Sequence, residues 1–200
     1  PSLSGKQRLL FLIIVVANLL SFSIPALPAF VKGVKQEIGE NRRIWYATLG
    51  EGGRTMLIGI ISDTHGSTLA WLDAINGPFR GVEQIWHCGD VLYHGARNPL
   101  PAGYNTQELF ELINSCSIPI KAVRGNCDSD VDQMVLDIVL QDPYFMAELP
   151  FGRALVTHGH HYGPDIMEAM IQRFQITLWV SGHIHEPVLQ RLGDTIFLNP

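Results

Sequence analysis

Residues 56–67 read MLIGIISDTHGS, a run of apolar side chains that ends abruptly in small and polar ones. The apolar part, residues 57–61, is continuous rather than alternating, which is typical of a β-strand covered on both faces. Ser67 can cap a helix that follows directly. Asp63 and His65 therefore lie in the turn between a buried strand and a helix, as expected for an α/β fold that places polar groups where a strand ends.

Strand and helix continue to alternate along the rest of the chain. We predict further strands at residues 82–88 and 118–123, and helices at 106–115, 131–139 and 165–173. Later, pairs of apolar segments separated by short turns predict hairpins at 146–157 and 188–198. Parallel units followed by hairpins indicate a mixed α/β sandwich.

Polar clusters follow five of the apolar segments. They are Asp63 with His65, Asp90, Asn126, His158, and His183 with His185. Because ligands bind where the carboxyl ends of strands converge, five such ends indicate one shared site. A single cluster is weak evidence, since Asp90 or Asn126 alone fits an ordinary turn. Together the clusters predict a metal site, and His183 and His185 face the same way as alternate residues of an extended chain.

The composition, with 46% hydrophobic and 16% charged residues, fits a packed globular protein rather than a disordered one. A net charge of −5 argues against a basic surface for long nucleic acid. Metal ions can still supply local positive charge for a phosphate-bearing substrate.

Cys88, Cys116 and Cys127 show neither zinc-ribbon nor CxxC spacing, so we expect reduced thiols in a cytoplasmic protein.

Residues 1–55 differ from the rest because an uncharged, largely apolar stretch at 9–31 dominates them. That stretch could be a membrane anchor, a secretory signal, or sequence outside the working protein. We favour the last, since the chain begins with Pro1 and Met56 directly precedes the first strong strand. We therefore expect an N-terminal extension followed by a functional domain at 56–200. That domain stops directly after a strand, so we expect it to be incomplete at its C-terminus.

The motifs, in this order, resemble the calcineurin-like metallophosphoesterase superfamily, whose pattern is D-x-H, G-D, G-N, G-H and G-H-x-H. Here the pattern appears as Asp63-Thr64-His65, Gly89-Asp90, Gly125-Asn126, His158-Gly159-His160 and Gly182-His183-Ile184-His185. Residues 89–103 (GDVLYHGARNPLPAG) and 123–134 (VRGNCDSDVDQM) are similar to the YfcE-type bacterial phosphodiesterases in particular. The resemblance covers residues 56–200 and implies a four-layer α/β/β/α sandwich of two mixed sheets.

The same resemblance implies a dinuclear metal centre. One metal would be held by Asp63, His65 and His185, and the other by Asn126, His158 and His183, with Asp90 bridging both. Mixed N and O ligands suit Mn²⁺, Fe²⁺ or Zn²⁺ better than Ca²⁺, and the family makes Mn²⁺ the first expectation. Such a pair lowers the pKa of a bridging water, so that hydroxide can attack phosphorus near neutral pH. The implied activity is hydrolysis of phosphate esters, in the first place of a small phosphodiester.

One position departs from the family pattern. Cys127 follows Asn126 where many members have a histidine that helps the leaving group. A neutral thiol is a poor proton donor to an alkoxide. We expect His94 or His160 to take that role, and for each the alternative is a structural hydrogen bond to the backbone.

Three further side chains near these motifs are assigned roles. Arg97 and Asn98, in the loop after the G-D motif, are candidate substrate ligands together with His94 and Asn126, and for Arg97 and Asn98 a solvated loop position is the alternative. Asp128 is expected to support the Asn126 turn or a ligand histidine as a hydrogen-bond acceptor.

Two rival functions stay open. A phosphomonoesterase or pyrophosphatase would use the same metal core, because the metals do not encode the leaving group. A protein-interaction scaffold of the same fold would be free to lose ligand histidines, whereas all seven ligand positions are filled here. A membrane contact is expected only if residues 9–31 form an anchor, and a homo-oligomer is left open.

Overall fold

The computed structural model describes residues 10–18, 36–39, 42–48, 55–149 and 151–200, with side chains from residue 57 onward. The first sheet contains β1 (Leu10–Asn18), β2 (Gln36–Gly39), β3 (Arg42–Thr48), β4 (Thr55–Ile61), β5 (Gln84–His87), β6 (Ile120–Val123) and β7 (Leu140–Gln141). The second contains β8 (Tyr144–Leu149), β9 (Gly152–Thr157), β10 (Ile176–Val180), β11 (Val188–Leu192) and β12 (Thr195–Asn199). The helices are α1 (Thr68–Asn76), α2 (Thr106–Asn114), α3 (Asp130–Val135) and α4 (Pro164–Phe174).

The strand predicted at residues 57–61 is β4, at the centre of a sheet ordered β2-β3-β1-β4-β5-β6-β7. Strands β4 to β7 run parallel. The sequence does not predict β7. The helix predicted at 131–139 is shorter in the structure, where it ends at Val135. The Gln133 side chain then accepts a hydrogen bond from the Leu140 amide and donates one to the Ile138 carbonyl, which leads the chain into β7.

Three strands from residues 10–48 extend the first sheet beyond β4. β1 pairs in parallel with β4 and antiparallel with β3, and β2 pairs with β3. Much of the apolar stretch at 9–31 lies outside the described residues, so the assignment of residues 1–55 to an extension stays a prediction. No helix in the described part of the chain is long and apolar enough to cross a membrane.

The two predicted hairpins form the edges of the second sheet, which is ordered β11-β12-β10-β9-β8. β8 pairs antiparallel with β9, and β11 pairs antiparallel with β12. β10 lies between them and runs parallel to both β9 and β12. Both sheets are therefore mixed, as expected.

Three apolar layers hold the sheets and helices together. Ile60 and Val156 are among the buried residues between the two sheets. On the outer face of the first sheet, α1 buries Trp71 and α2 buries Leu109. On the outer face of the second sheet, α4 packs half-buried apolar residues against Trp179 and its neighbours, but no residue of α4 is fully buried. The predicted α/β/β/α layering is confirmed, and the apolar face of α4 covers its sheet less completely than that of α2.

Candidate metal centre

The loop between β4 and α1 carries Asp63 and His65. Ser67 ends this loop, since its Oγ accepts a hydrogen bond from the Ala70 amide at 3.1 Å and caps α1 as predicted. His65 Nδ1 lies 2.8 Å from the carbonyl oxygen of Tyr93. Because a carbonyl oxygen only accepts, Nδ1 carries the proton, and the lone pair of Nε2 is left to face the site.

Asp63, His65 and His185 form one group of converging atoms. His185 Nε2 lies 3.1 Å from His65 Nε2 and 3.2 Å from Asp63 Oδ1. Asp63 Oδ1 is buried and accepts no hydrogen bond from the described residues. The other oxygen, Oδ2, accepts hydrogen bonds from Ser62 Oγ and from the His183 amide. One carboxylate oxygen is thus held by the protein, and the other faces two imidazole rings.

His158, Asn126 and His183 form a second group. His158 Nδ1 lies 2.7 Å from the carbonyl oxygen of Cys88, so this nitrogen carries the proton and Nε2 faces the site. His158 Nε2 is 3.0 Å from Asn126 Oδ1. The rings of His158 and His183 lie 5.1 Å apart, and the His183 side chain is exposed at the mouth of the site.

Asp90 lies between the two groups. Its Oδ2 is 3.7 Å from His65 Nε2 and 3.3 Å from His158 Nε2. Its Oδ1 accepts a hydrogen bond from the Cys127 amide at 2.7 Å, and the residue is 1% exposed. Asp90 therefore lies within 4 Å of an imidazole nitrogen from each group.

Two glycines allow the ligand loops to approach each other closely. A Cβ on Gly182 would collide with Ser62 Oγ and lie 2.7 Å from Asp63 Oδ2. A Cβ on Gly125 would collide with Asp90 Oδ1. Glycine is therefore required at these positions of the G-N and G-H-x-H motifs, because any larger side chain would collide with the neighbouring loop. The sequence alone does not reveal this steric requirement.

Five of the seven predicted ligands have a left-handed backbone conformation. They are Asp63 (φ 53°), His65 (φ 45°), Asp90 (φ 57°), His183 (φ 75°) and His185 (φ 52°). In the described part of the chain, Gln175 at the end of α4 is the one other non-glycine residue with positive φ. Such strained residues persist where the surrounding structure over-determines them, and they cluster at functional sites.

The electrostatics of the site keep its two carboxylates ionised. Burial raises the pKa of Asp90, but the His158 imidazole and the Cys127 amide outweigh burial and hold that pKa at about 2. Burial likewise raises the pKa of Asp63, and His185 and His158 more than offset it. Burial lowers the pKa of His158, and Asp90 raises it by more. Two buried carboxylates therefore favour positive charge beside them.

The side chains fit a divalent metal ion. Carboxylate oxygens, imidazole lone pairs and one amide oxygen converge at mutual distances of 3.0–3.7 Å. All of these atoms are acceptors, so they repel one another unless a cation or a proton lies between them. Two of the groups that could hold a metal ion are Asp63 with His65 and His185, and Asp63 with Asp90 and His158. Mixed N and O donors are those preferred by first-row divalent metals.

Cys127 lies beside this centre. Its Sγ is within 4.8 Å of the ligand atoms of His65 and Asp90, and 3.3 Å from Asn126 Nδ2. Burial and the negative charge of Asp90 raise the pKa of the Cys127 thiol to about 12. The thiol is therefore neutral near pH 7, which agrees with the expectation that it is a poor proton donor.

The loop after β5 contains the other predicted substrate contacts. The His94 ring packs between Tyr93 and Tyr104, at centroid distances of 4.8 and 5.3 Å, and its Nδ1 is buried without a hydrogen-bond partner among the described residues. Asn98 Nδ2 donates to the His94 carbonyl at 2.9 Å, so this amide supports the loop. Arg97 is exposed.

His160 lies closer to the predicted ligands. Its ring is 5.3 Å from that of His158 and 6.0 Å from that of His183. Burial and the neighbouring histidines lower the pKa of His160 to about 4, so the ring is neutral near pH 7. The roles predicted for His94, His160, Arg97 and Asn98 stay predictions.

Sequence reasoning misses several groups that orient the ligands. Ser62 donates to Asp63, and the carbonyls of Tyr93 and Cys88 fix the protonated nitrogens of His65 and His158. A serine next to an aspartate is a weak signal. A backbone carbonyl leaves no signal in the sequence at all.

Two mixed sheets between helical layers, with acceptor side chains from five strand ends around one site, define an α/β metallophosphoesterase. The family model for the calcineurin-like phosphoesterase superfamily domain matches residues 56–200. The chain belongs to this superfamily.

Known relatives agree with this assignment. Phosphodiesterase YfcE of Escherichia coli is 39% identical over 141 residues, which cover 70% of this chain and 74% of YfcE. A solved structure of the E. coli phosphoesterase Yfce has a TM-score of 0.61 at 37% identity, over 71% of this chain and 77% of that one. Phosphodiesterase MJ0936 of Methanocaldococcus jannaschii is 28% identical over 154 residues, covering 72% of this chain and 82% of MJ0936. Vacuolar protein sorting 29 of Cryptosporidium parvum, at 17% identity and a TM-score of 0.51 over 72% of each chain, shows the shared fold alone.

Proposed function

We propose that this protein is a dinuclear metal-dependent phosphodiesterase that hydrolyses small phosphate diesters. The observation that carries the proposal is the position of Asp90 between two groups of acceptor atoms, 3.7 Å from His65 Nε2 and 3.3 Å from His158 Nε2. The relatives named phosphodiesterases support the diester as substrate.

The proposed ligand sets follow the two groups of atoms. Asp63, His65 and His185 would hold one ion, Asn126, His158 and His183 would hold the other, and Asp90 would contact both. We propose Mn²⁺ as the natural metal, with Fe²⁺ and Zn²⁺ as alternatives that suit the same donors. When bound, the ions act as Lewis acids and lower the pKa of a coordinated water.

The residues of the chain set up the site for this chemistry. Backbone carbonyls accept from Nδ1–H of His65 and His158, which leaves Nε2 of each ring directed at the site for a metal ion. Asp63 and Asp90 stay ionised because their pKa values are lowered. With two divalent ions bound, Asp63 and Asp90 would leave the site net positive, which would favour a phosphate diester and the charge that develops in the transition state.

Four other side chains are proposed to act on the ester. His94 and His160 are the candidates for assisting the leaving group, because Cys127 holds its proton tightly. With its pKa lowered to about 4, His160 would assist as a neutral hydrogen-bond donor to the leaving oxygen. Arg97 and Asn98, with Asn126 and His94, are the candidates for binding the phosphate or its substituents. We also propose that residues 1–55 are an N-terminal extension outside the catalytic domain at 56–200. The three free cysteines agree with the proposed cytoplasmic location.

The test is an assay of the purified protein with Mn²⁺ against bis(p-nitrophenyl) phosphate and p-nitrophenyl phosphate. We expect hydrolysis of the diester to exceed that of the monoester, and Asp90→Asn to remove both activities. Preference for the monoester would instead favour the phosphomonoesterase. A protein that binds Mn²⁺ but hydrolyses neither ester would favour the interaction scaffold.

A further inference from the structure

Two buried side chains outside the ligand set connect the loops that carry the ligands. Thr64 is 2% exposed and lies between Asp63 and His65. His87 is 1% exposed, is the last residue of β5, and precedes Asp90 by three positions. Neither side chain is used in the proposed chemistry.

The hydrogen bonds of these two residues form a chain with one consistent direction. The Gly89 amide donates to His87 Nδ1 at 3.2 Å, so the proton of this imidazole must lie on Nε2. His87 Nε2 lies 3.0 Å from Thr64 Oγ1, and Thr64 Oγ1 donates its single proton to the Val91 carbonyl at 2.9 Å. His87 Nε2–H therefore donates to the Thr64 hydroxyl, and every polar atom in the chain is satisfied.

The backbone bonds between the same loops come from the residues on either side of Thr64. The Asp63 amide donates to the Gly89 carbonyl at 3.0 Å, and the His65 amide donates to the Asp90 carbonyl at 3.0 Å. Between Asp63 and His65, the Thr64 side chain adds a further bond from the same loop, to the Val91 carbonyl. It thereby fixes the loop between two ligands that both have positive φ, at 53° and 45°.

We infer that Thr64 and His87 are positioning residues, which hold the loop of Asp63 and His65 against the loop of Asp90 so that the metal ligands converge. This inference rests on the proposed dinuclear centre. A positive φ at two ligands costs free energy that the neighbouring structure must offset. Without the Thr64 hydroxyl, His87 Nε2–H is left buried and unpaired, and the Val91 carbonyl keeps only the hydrogen bond from the Gly66 amide at 2.9 Å. The loop then relaxes away from the geometry that binds metal.

The experiment compares Thr64→Val, which has the same shape without the hydroxyl, with Thr64→Ser, which retains it. Thr195→Val is the matched control, since Thr195 is also buried and its Oγ1 donates to the Ile176 carbonyl, away from the ligand loops. Mn²⁺ affinity is measured from the EPR signal of the free ion, and melting temperatures are measured on metal-free protein. We expect Thr64→Val to weaken Mn²⁺ binding about 10- to 100-fold, as for other partners of ligand loops. Thr64→Ser should retain most of the Mn²⁺ affinity. Thr195→Val should lower the melting temperature but leave the Mn²⁺ affinity unchanged.

His87→Asn provides a second route to the same answer if Thr64→Val folds poorly. Its side-chain oxygen can still accept from the Gly89 amide, but it cannot reach Thr64, so we expect a similar loss of Mn²⁺ affinity. Mn²⁺ affinities of Thr64→Val and His87→Asn within twofold of the wild type would overturn the inference. Wild-type protein that binds no Mn²⁺ would instead contradict the proposed function, so the two failures are distinguishable.

Discussion

The carboxylate of Asp128 accepts a hydrogen bond from the backbone amide of Asp90 at 2.8 Å. It also accepts from the amides of Val91 and Gly125, at 2.7 Å each. Asp128 thus joins the loop after β5, which carries Asp90, to the loop after β6, which carries Asn126. The sequence predicts that Asp128 supports the Asn126 turn or a ligand histidine. The structure shows the first of these, with a second attachment at Asp90 that the sequence does not indicate.

Asp128→Asn should weaken metal binding and activity together. The amide keeps the shape but offers one accepting oxygen in place of two, so at least one of three buried amides loses its partner. We expect Mn²⁺ affinity to fall about 10- to 100-fold, measured by isothermal titration. Asp130→Asn is the control, because the Asp130 side chain is 93% exposed and pairs with Arg124 at the surface. Equal affinities for Asp128→Asn and Asp130→Asn would show that the shared carboxylate does not hold the loops.

Gly182→Ala should disrupt the site by steric collision. The added Cβ would displace Ser62 Oγ and press on Asp63 Oδ2, which has to move away from the other ligands. We expect kcat/KM for the diester to fall by at least about tenfold, because small displacements of catalytic groups are costly. Gly163→Ala is the matched control, since a Cβ there meets nothing within 4 Å. Wild-type activity in Gly182→Ala would mean that the loops can separate without harm.

The stability of the metal-free protein should depend on pH through His87. Burial lowers the pKa of His87 from 6.5 to about 4, an effect only partly opposed by the nearby carboxylates of Asp63 and Asp90. As the pH falls from 6.5 towards 4, the unfolded chain takes up a proton at this position and the folded chain does not. The free energy of unfolding should therefore decrease across this window, by about 3 kcal/mol from His87 alone.

Urea unfolding of wild type and His87→Gln at pH 7.5, 5.5 and 4 checks this dependence. The difference in the free energy of unfolding between the two proteins should shift in favour of His87→Gln as the pH falls. A difference that is the same at all three pH values would contradict the burial of a neutral imidazole at this position.

Kinetic measurements can decide whether His94 or His160 assists the leaving group. A residue that protonates the leaving oxygen matters most when that oxygen is a poor leaving group. We expect substitution of the active donor by Asn to reduce hydrolysis of an alkyl aryl phosphodiester at the alkyl ester far more than at the nitrophenyl ester. Equal losses for both leaving groups in His94→Asn and in His160→Asn would assign both residues to binding or packing.

Apart from β7, the elements of the fold from residue 56 onward could be predicted from the sequence because they have local signals. A continuous apolar run predicts β4, and Ser67 marks the start of α1. The two-residue strand β7 could not be predicted, since it depends on side-chain bonds from Gln133 that form only in the folded chain. The strands β1 to β3 lie in a region where the sequence left three interpretations open.

The sequence predicts which residues converge at the site, but it does not predict the groups that orient them. Asp, Asn and His at five strand ends, in the family order, identify which residues converge. The tautomers of His65 and His158 depend on carbonyl groups that any residue provides. The Thr64–His87 bond joins residues 23 positions apart, and neither residue type is unusual at its place in the sequence.

The central claim is that one chain holds two metal ions, with Asp90 in contact with both. Equilibrium dialysis against Mn²⁺, followed by metal analysis, measures the stoichiometry directly. The proposed ligand sets predict two ions per chain in the wild type, one in His185→Ala, and weakened binding of both in Asp90→Asn. A wild-type chain that saturates at a single Mn²⁺, or an Asp90→Asn variant that retains two tightly bound ions, would contradict the account.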